Sequence, residues 1–408
     1  MPARVLEVEL TAPLAAHDLG GHRAAFVLLR LRGRPVGRLR LRCPEGRLTP
    51  EALRAAVAAD RPLRELLARR ELRDRLLGET AAPEAAAAPL PTWTVVVCTR
   101  ERPDDLARCL AGLRALDAPP GGELLVVDNA PATDATRAVV AAHPGVRYAR
   151  EDRPGLNWAR TRGAELARGE IVVYTDDDVV VDRGWVRAVL APFADPRVAA
   201  VTGPALPLEL ETEAQELFED YGGFGRGFEP WTFELYNTQP AEAGRVGAGA
   251  NMAVRRALVR ALRLFEAELD CGTVARTGGD TYAFYLLLAD GWRIAYTPEA
   301  LVWHRHRRDR ESLRRTLRDY SIGGYAFLTR VLVEHGDRTA LGVGWSWFLH
   351  DHARKLAAAL LRRPGRLPLD LLVPYLLGIF QGPGAYRASR ARERALGPLA
   401  LAPEEAGA

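Results

Sequence analysis

Lysine is almost missing from this chain of 408 residues: Lys355 is the only one, and arginine supplies nearly all of the positive charge. The 56 basic residues are nearly balanced by 52 acidic ones, the net charge is +4, and no unbroken block of like charge occurs. That balance argues against a nucleic-acid partner, because such proteins gather their basic charge on one arm or stripe. Cysteine is scarce as well. Cys43, Cys98, Cys109 and Cys271 show no C-x-x-C spacing, which excludes the usual thiolate metal cluster and makes a reducing compartment the default. No stretch of about 18 uncharged apolar residues occurs, so no transmembrane helix is expected. Met1 to Leu10 contains acids and no apolar core, unlike a signal peptide. These absences describe a cytoplasmic protein that touches a membrane, if at all, at its inner face.

What is present is an ordinary globular composition, 48% apolar and 26% charged, enough for a core of normal size. Residues 80–92 (TAAPEAAAAPLPT) form an Ala/Pro linker without periodicity and mark the clearest boundary. The module before it, residues 1–79, is small and α+β. Ala24 to Leu31 and Val36 to Arg42 are expected strands joined by a Gly-Arg-Pro turn. Thr49 is the expected N-cap of a helix that begins at Pro50, and a second helix runs from about Pro62 to Leu77. No chemistry can be assigned to this module.

Residues 93–312 alternate strand and helix. Strands are expected at Thr94 to Cys98, Glu123 to Val127, Val146 to Ala149 and Ile171 to Tyr174. Helices are expected at Pro103 to Leu116, Thr133 to Ala142 and Gly155 to Ala167. The alternation predicts an α/β fold around a mostly parallel sheet covered on both faces. In such sheets ligands collect at the carboxyl ends of strands, and three strands end in polar groups: Thr99-Arg100, Asp128-Asn129 and Asp176-Asp177-Asp178. Residues 313–408 form a helical tail. Its Val343 to Leu361 segment mixes aromatic, apolar and basic residues, so packing on the α/β domain and lying at a membrane interface are both open readings.

The aspartate run carries the most chemistry. Three adjacent carboxylates repel one another, and a hard cation such as Mg²⁺ or Mn²⁺ removes that cost while bridging to phosphate oxygens. In an extended segment i and i+2 face the same way, so Asp176 and Asp178 can share a ligand while Asp177 faces elsewhere. Asp128 suits a base or ribose and equally suits a turn cap. Arg100, Arg102 and Arg160 suit a diphosphate and equally a solvated surface. Asp280 is placed as the N-cap of the helix TYAFYLLL, and a carboxylate held there in a cleft can also take a proton from a hydroxyl. His304, after a strand-like run, is a further candidate ligand for the cation.

In order and spacing these pieces resemble a family 2 glycosyltransferase of the GT-A fold, over about Thr92 to Arg308. TVVVCTRERP resembles the opening strand and nucleotide loop, and LLVVDNAP the second strand with its base- and ribose-binding acid. GLNWARTRGAELARGEIVVYTDDD resembles the helix and strand that deliver the aspartate motif. VTGPALP and GAGANMAVRR resemble acceptor-side segments, and GGDTYAF and LVWHRHR the late acidic motif and terminal histidine. The resemblance implies a GT-A, Rossmann-like sheet and an inverting transfer of sugar from a nucleoside-diphosphate donor, UDP- or dTDP-linked, with Mn²⁺ or Mg²⁺. It implies nucleotide contacts from Thr99, Arg100, Arg102, Asp128, Arg160, Asp176 and Asp177. It makes Asp178, Asp176 and His304 the cation ligands and Asp280 the general base. The acceptor would be a glycan, a lipid-linked molecule or a small molecule, of the kind met in cell-envelope polysaccharide synthesis. One departure stands out: the family's late motif is usually Glu-Asp, and here it is Gly279-Asp280.

Two other readings remain open from the sequence. A nucleotidyltransferase also uses strand-end carboxylates and a cation, but would normally bring a Gly-rich phosphate loop, and CTRERPDD has no glycine. A non-catalytic nucleotide-sugar binder would fit the Gly279 departure. Segment 216–231 (ELFEDYGGFGRGFEPW) is expected to be an acceptor-side loop.

Overall fold

The computed structural model describes residues 2–77, 89–363 and 365–396; positions 80–88 of the expected linker lie outside the described residues. The N-terminal module contains β1 (Arg4–Glu9), β2 (His17–Asp18), β3 (Ala24–Leu31), β4 (Arg34–Arg42), β5 (Arg47–Leu48), α1 (Pro50–Ala59) and α2 (Arg61–Leu77). β1 adds parallel to β3, a pairing the sequence did not announce, and β3 and β4 form a hairpin. The turn is Arg32-Gly33, not Gly-Arg-Pro. Both residues have positive φ (53° and 76°), the conformation whose twist matches a two-residue hairpin, so Arg34 and Pro35 fall within β4. Thr49 caps α1 as expected, accepting from the Ala52 amide at 3.2 Å.

The central sheet has eight strands in the order β13 (Trp231–Phe233), β15 (Arg293–Tyr296), β11 (Val198–Thr202), β14 (Asn251–Arg255), β9 (Ile171–Asp176), β6 (Trp93–Thr99), β7 (Gly122–Asn129) and β8 (Val146–Glu151). Only β13 and β14 run against the other six, so the sheet is mostly parallel. Around it lie α3 (Pro103–Arg114), α4 (Ala135–Ala141), α5 (Leu156–Leu166), α6 (Trp185–Leu190), α7 (Glu213–Tyr221), α8 (Arg256–Ala261) and α9 (Gly279–Ala289). Each apolar strand is covered on both faces. In β6, Val95 and Val97 pack with Leu106 and Leu110 of α3, whereas Val96 packs with Ala159 and Ala164 of α5. That two-sided burial is why the strands read as unbroken apolar runs.

Close approach at one corner needs a glycine. A Cβ on Gly169, just before β9, would lie 2.3 Å from the Trp93 carbonyl carbon, and backbone cannot move aside as a side chain can. Gly169→Ala is expected to destabilise the protein by about 1–3 kcal/mol, in the range of overpacked cores, read as a lowered melting temperature; an unchanged melting temperature would contradict the packing described.

A second sheet positions the site. β10 (Val179–Val181) follows the aspartates directly and pairs antiparallel with β16 (Val302–His304), which pairs parallel with β12 (Ala205–Pro207). This register sets Val179 opposite His304, and the Arg305 amide donates to the Asp178 carbonyl at 2.9 Å. Sequence-distant His304 is thereby delivered beside the end of the aspartate run.

The tail forms α10 (Arg310–His335), α11 (Thr339–Trp347), α12 (Arg354–Leu360) and α13 (Leu369–Leu396). α10 packs on the catalytic body: Arg330 is buried, pairs with Glu266, Glu268 and Glu334, and lies 3.8 Å from the centre of the Tyr282 ring. The outer faces expose Trp345, Leu360 and Phe380. Among the described residues no helix is long and apolar enough to cross a membrane.

Candidate active site

The aspartate run divides as strand geometry requires. Asp177 is buried and turns to β6, accepting from the Thr99 hydroxyl at 2.7 Å and from Arg102 at 3.0 Å. The Thr99 hydroxyl proton is thus engaged by Asp177. Arg102 also donates to Asp178 at 3.1 Å. Burial works against its charge, but Asp177 and Asp178 hold the guanidinium firmly protonated. Arg100 stands exposed at the end of β6, outside this cluster.

Ligand atoms of Asp176, Asp178 and His304 lie within 4.8 Å of one another. Their protonation pattern follows from a chain of hydrogen bonds. The Glu219 carboxylate of α7 accepts from His306 Nε2 at 2.9 Å and from Arg38 of β4 at 3.0 Å. In the neutral ring, donation from Nε2 leaves His306 Nδ1 as an acceptor. That atom faces His304 Nδ1 at 3.0 Å, and a hydrogen bond donated by His304 Nδ1 would leave His304 Nε2 free for a ligand. Burial lowers His304 to about 4, so its ring is neutral at pH 7 and its Nε2, in that tautomer, is a bare lone pair. It lies 3.4 Å from Asp178 Oδ1, a buried oxygen with no hydrogen-bond partner. These two atoms face one another. A divalent cation fits that gap, with the Nδ1 hydrogen bond orienting the ring as metal-bound histidines require.

The charges around the gap reinforce this. Burial and the neighbouring Asp178 push Asp176 up to about 7. Asp178 is held below its ordinary value although burial opposes that. His304, Arg307 (3.6 Å) and Arg102 lower it.

A second cluster lies on the other side of Asp176. Arg160 of α5 is buried and donates to Asp270 at 2.5 Å. Burial opposes its charge, and Asp270, Asp280 and Asp176 together sustain it. Asp270 has a positive φ of 103°, and burial raises its carboxyl above the ordinary range despite the guanidinium. Asp280 is half-buried; its Oδ2 accepts from the Gly249 amide at 2.6 Å and its Oδ1 from the Thr281 amide at 2.7 Å. It is not the N-cap. Gly278 caps α9 with φ 103°, a left-handed conformation easy for glycine, which moves Asp280 into the first turn with its carboxylate turned to the Gly249 loop. A Cβ on Gly249 would come within 2.4 Å of the end of the Arg160 side chain and 3.1 Å of the Asp280 Cβ, so a larger residue there would press on both.

Asp128 lies on the neighbouring strand, opposite Thr99. It is fully buried at the end of β7, accepts from the Tyr148 hydroxyl at 3.0 Å, and is raised by burial. Its Oδ1 has no hydrogen-bond partner. The structure therefore brings Asp176, Asp178 and His304 together, and Arg160 with Asp280, while Asp128 lies opposite Thr99 in the β6–β7 register.

Sequence reading missed Asp270, Glu219 and the pinning role of Asn129, which receives the Gly155 amide at 2.9 Å and donates to the Arg153 carbonyl at 2.7 Å. One signal was readable. Thr212-x-x-Gln215 is a capping box, and it starts α7, so the first part of the expected acceptor-side loop is helix. Beyond it Phe224 packs its ring edge-on to His304, centroids 5.1 Å apart.

Residues 94–263 match the family model described as Glycosyl transferase family 2. Curated relatives include a pre-mycofactocin glycosyltransferase of Mycobacterium tuberculosis, 26% identical over 254 residues, covering 60% of this chain and 49% of the relative. An N-acetylglucosaminyltransferase of Rhizobium meliloti is 27% identical, covering 54% and 53%. The chain spans about half the length of these two relatives. A solved mannosyltransferase of Pyrobaculum calidifontis, in complex with GDP-Man and Mn²⁺, superimposes with a TM-score of 0.43 at 17% identity, covering 78% of this chain and 79% of that one. A superposition that loose says nothing about individual side chains.

Proposed function

The chain carries a family 2 glycosyltransferase domain, and from that premise we propose that it transfers a sugar from a nucleoside-diphosphate donor to an acceptor hydroxyl, with inversion. The observation that carries this reading is the facing pair Asp178 Oδ1 and His304 Nε2, beside Asp176 at the carboxyl end of the sheet. Asp178, Asp176 and His304 would hold Mn²⁺ or Mg²⁺, which when bound would neutralise charge developing on the departing diphosphate. Asp280 would accept the acceptor's hydroxyl proton as that oxygen bonds to the anomeric carbon and the bond to diphosphate breaks. Arg160, whose charge interacts with both Asp176 and Asp280, would keep the two ends of the site aligned. The donor's base, taken as uracil or thymine, and the acceptor, a glycan, lipid-linked or small molecule, belong to the same proposal. So does contact of the tail helices with a membrane surface.

The test is release of nucleoside diphosphate from UDP-, dTDP- and GDP-sugars in the presence of candidate acceptors. Activity should vanish with a chelator and return with Mn²⁺. Activity that persists after chelation would remove the cation from the proposal, and release of pyrophosphate would point to nucleotidyl transfer instead.

The site also predicts a pH dependence. Asp176 titrates at 3.8 ordinarily and at about 7 when folded without cation. A raised folded value means that its contribution to stability is fully present below 3.8 and is lost as pH rises through 7. A cation must displace that proton, so binding strengthens over the same window. His304 is already neutral in the folded protein at about pH 5.5 and at about pH 8, so it adds nothing to the difference in cation binding between them. The rise in melting temperature caused by Mn²⁺ should therefore be larger at about pH 8 than at about pH 5.5. An equal rise at both would count against Asp176 as a ligand.

A further inference from the structure

A cavity of about 320 Å³ lies away from the aspartates, where the N-terminal module meets the catalytic body. Its volume is that of a small-ligand site. Arg32 and Arg34 reach it from the β3–β4 hairpin, and Arg69, Arg70 and Arg73 from α2, while Trp231 at the start of β13 forms part of its wall. Three carboxylates also line it, and each is engaged: Asp74 with Arg32, Glu229 with Arg69 at 2.6 Å, and Glu299 with Arg70 at 3.7 Å. Arg34 and Arg73 have no carboxylate partner among the described residues. Five guanidiniums against three carboxylates leave positive charge in excess. Burial lowers Arg70 from its usual value, and repulsion from Arg34 and Arg73 adds to that although Glu299 acts the other way. An anion in the cavity would relieve the repulsion.

The remaining wall says what else the ligand carries. The Trp231 side chain is large and open, its residue 54% exposed, with no hydrogen bond or ring contact to its indole among the described residues. Pro230, Leu31 and Leu66 extend the apolar surface beside it. An open indole face suits the C–H face of a sugar ring, and planar guanidiniums suit carboxylate or phosphate. We infer that this cavity is a second binding site, for an acidic saccharide carrying carboxylate or phosphate, and that it is separate from the aspartate site. The Arg70 guanidinium donates to the Phe228 carbonyl at 2.9 Å, so an occupant would bear on the segment leading from α7 to β13. The N-terminal module, which shows no chemistry of its own in sequence, gains a role as one wall of this site.

The experiment is calorimetric titration of the whole chain with trigalacturonate, glucose 1-phosphate, maltotriose, inorganic phosphate and UDP. Trigalacturonate or glucose 1-phosphate should bind, which tells carboxylate from phosphate, and neutral maltotriose should bind at least about tenfold more weakly. Trp231→Ala, and separately Arg34→Gln with Arg73→Gln, should each weaken the acidic saccharide about tenfold. Neither change strands a buried charge, and UDP affinity with Mn²⁺ should stay as it was. The site is overturned if neither acidic saccharide binds, or if both sets of variants retain full binding. The saccharide assignment is overturned if phosphate alone binds and survives Trp231→Ala, or if the variants lose UDP.

Discussion

Asp280→Asn is expected to lower the rate of sugar transfer about 10²- to 10⁴-fold, the range general-base catalysis supplies, while donor affinity stays near its original value. The substitution keeps the shape of the side chain and removes its basicity. Its two oxygens now accept from the Gly249 and Thr281 amides, and asparagine has only one carbonyl oxygen to offer. One backbone donor would lose its partner, at a cost of about 1–3 kcal/mol, and a carboxylate favourable in the first turn of α9 is replaced by a neutral group. A modest fall in melting temperature is therefore part of the expected result. The catalytic loss is told from this structural effect by the split between constants. In the proposed division of roles Asp280 serves the acceptor hydroxyl and not the donor, so kcat should fall while the donor KM holds. A variant that transfers sugar at near-normal rate would sink the assignment of Asp280 as base.

The elements behind that expectation were unequally visible in the sequence. Strands β6, β7 and β9 read clearly because they are apolar on both faces and end in polar residues, so local composition reports their place in the sheet. Thr49 before Pro50 gave the start of α1 because capping is a local event. Positions of the candidate site depended on how distant segments meet. Asp176 and Asp178 were legible as one face of an extended run. That Thr99 and Arg102 bond to Asp177 was not legible, because those hydrogen bonds cross 75 to 78 positions. The cap of α9 was misplaced for a local reason: a glycine in left-handed conformation competes with aspartate for that position, and Gly278 wins. Asp270 gave no signal at all. It sits in an irregular segment between α8 and α9, and its meaning comes from Arg160, 110 positions earlier.

Removing Asp270 is expected to have the largest effect on stability. Arg160 is 3% exposed, and Asp270 is its closest carboxylate partner, at 2.5 Å. Breaking a buried pair by deleting one member leaves the other charge out of water without compensation, which costs about 3–5 kcal/mol. Alanine adds to that cost because position 270 has φ 103°, a conformation that disfavours a non-glycine residue lacking a side-chain hydrogen bond to its own backbone. Asp270 now accepts from the Cys271 amide at 2.8 Å. Asp270→Asn can keep that bond and removes only the charge, so the two variants separate electrostatics from strain. The pair itself need not stabilise the fold, since burial pushes the Asp270 carboxyl up even with Arg160 beside it. Urea unfolding should thus show Asp270→Ala and Asp270→Asn both strongly destabilised, alanine the more so. Adding Arg160→Met to Asp270→Asn should recover most of the loss, because an apolar side chain then fills the place of the stranded guanidinium. The same double variant should remain inactive, with Asp176 and Asp280 deprived of a cation that interacts with both. Full stability in Asp270→Asn alone, or no recovery in the double variant, would show that the pair is not what holds this corner of the site.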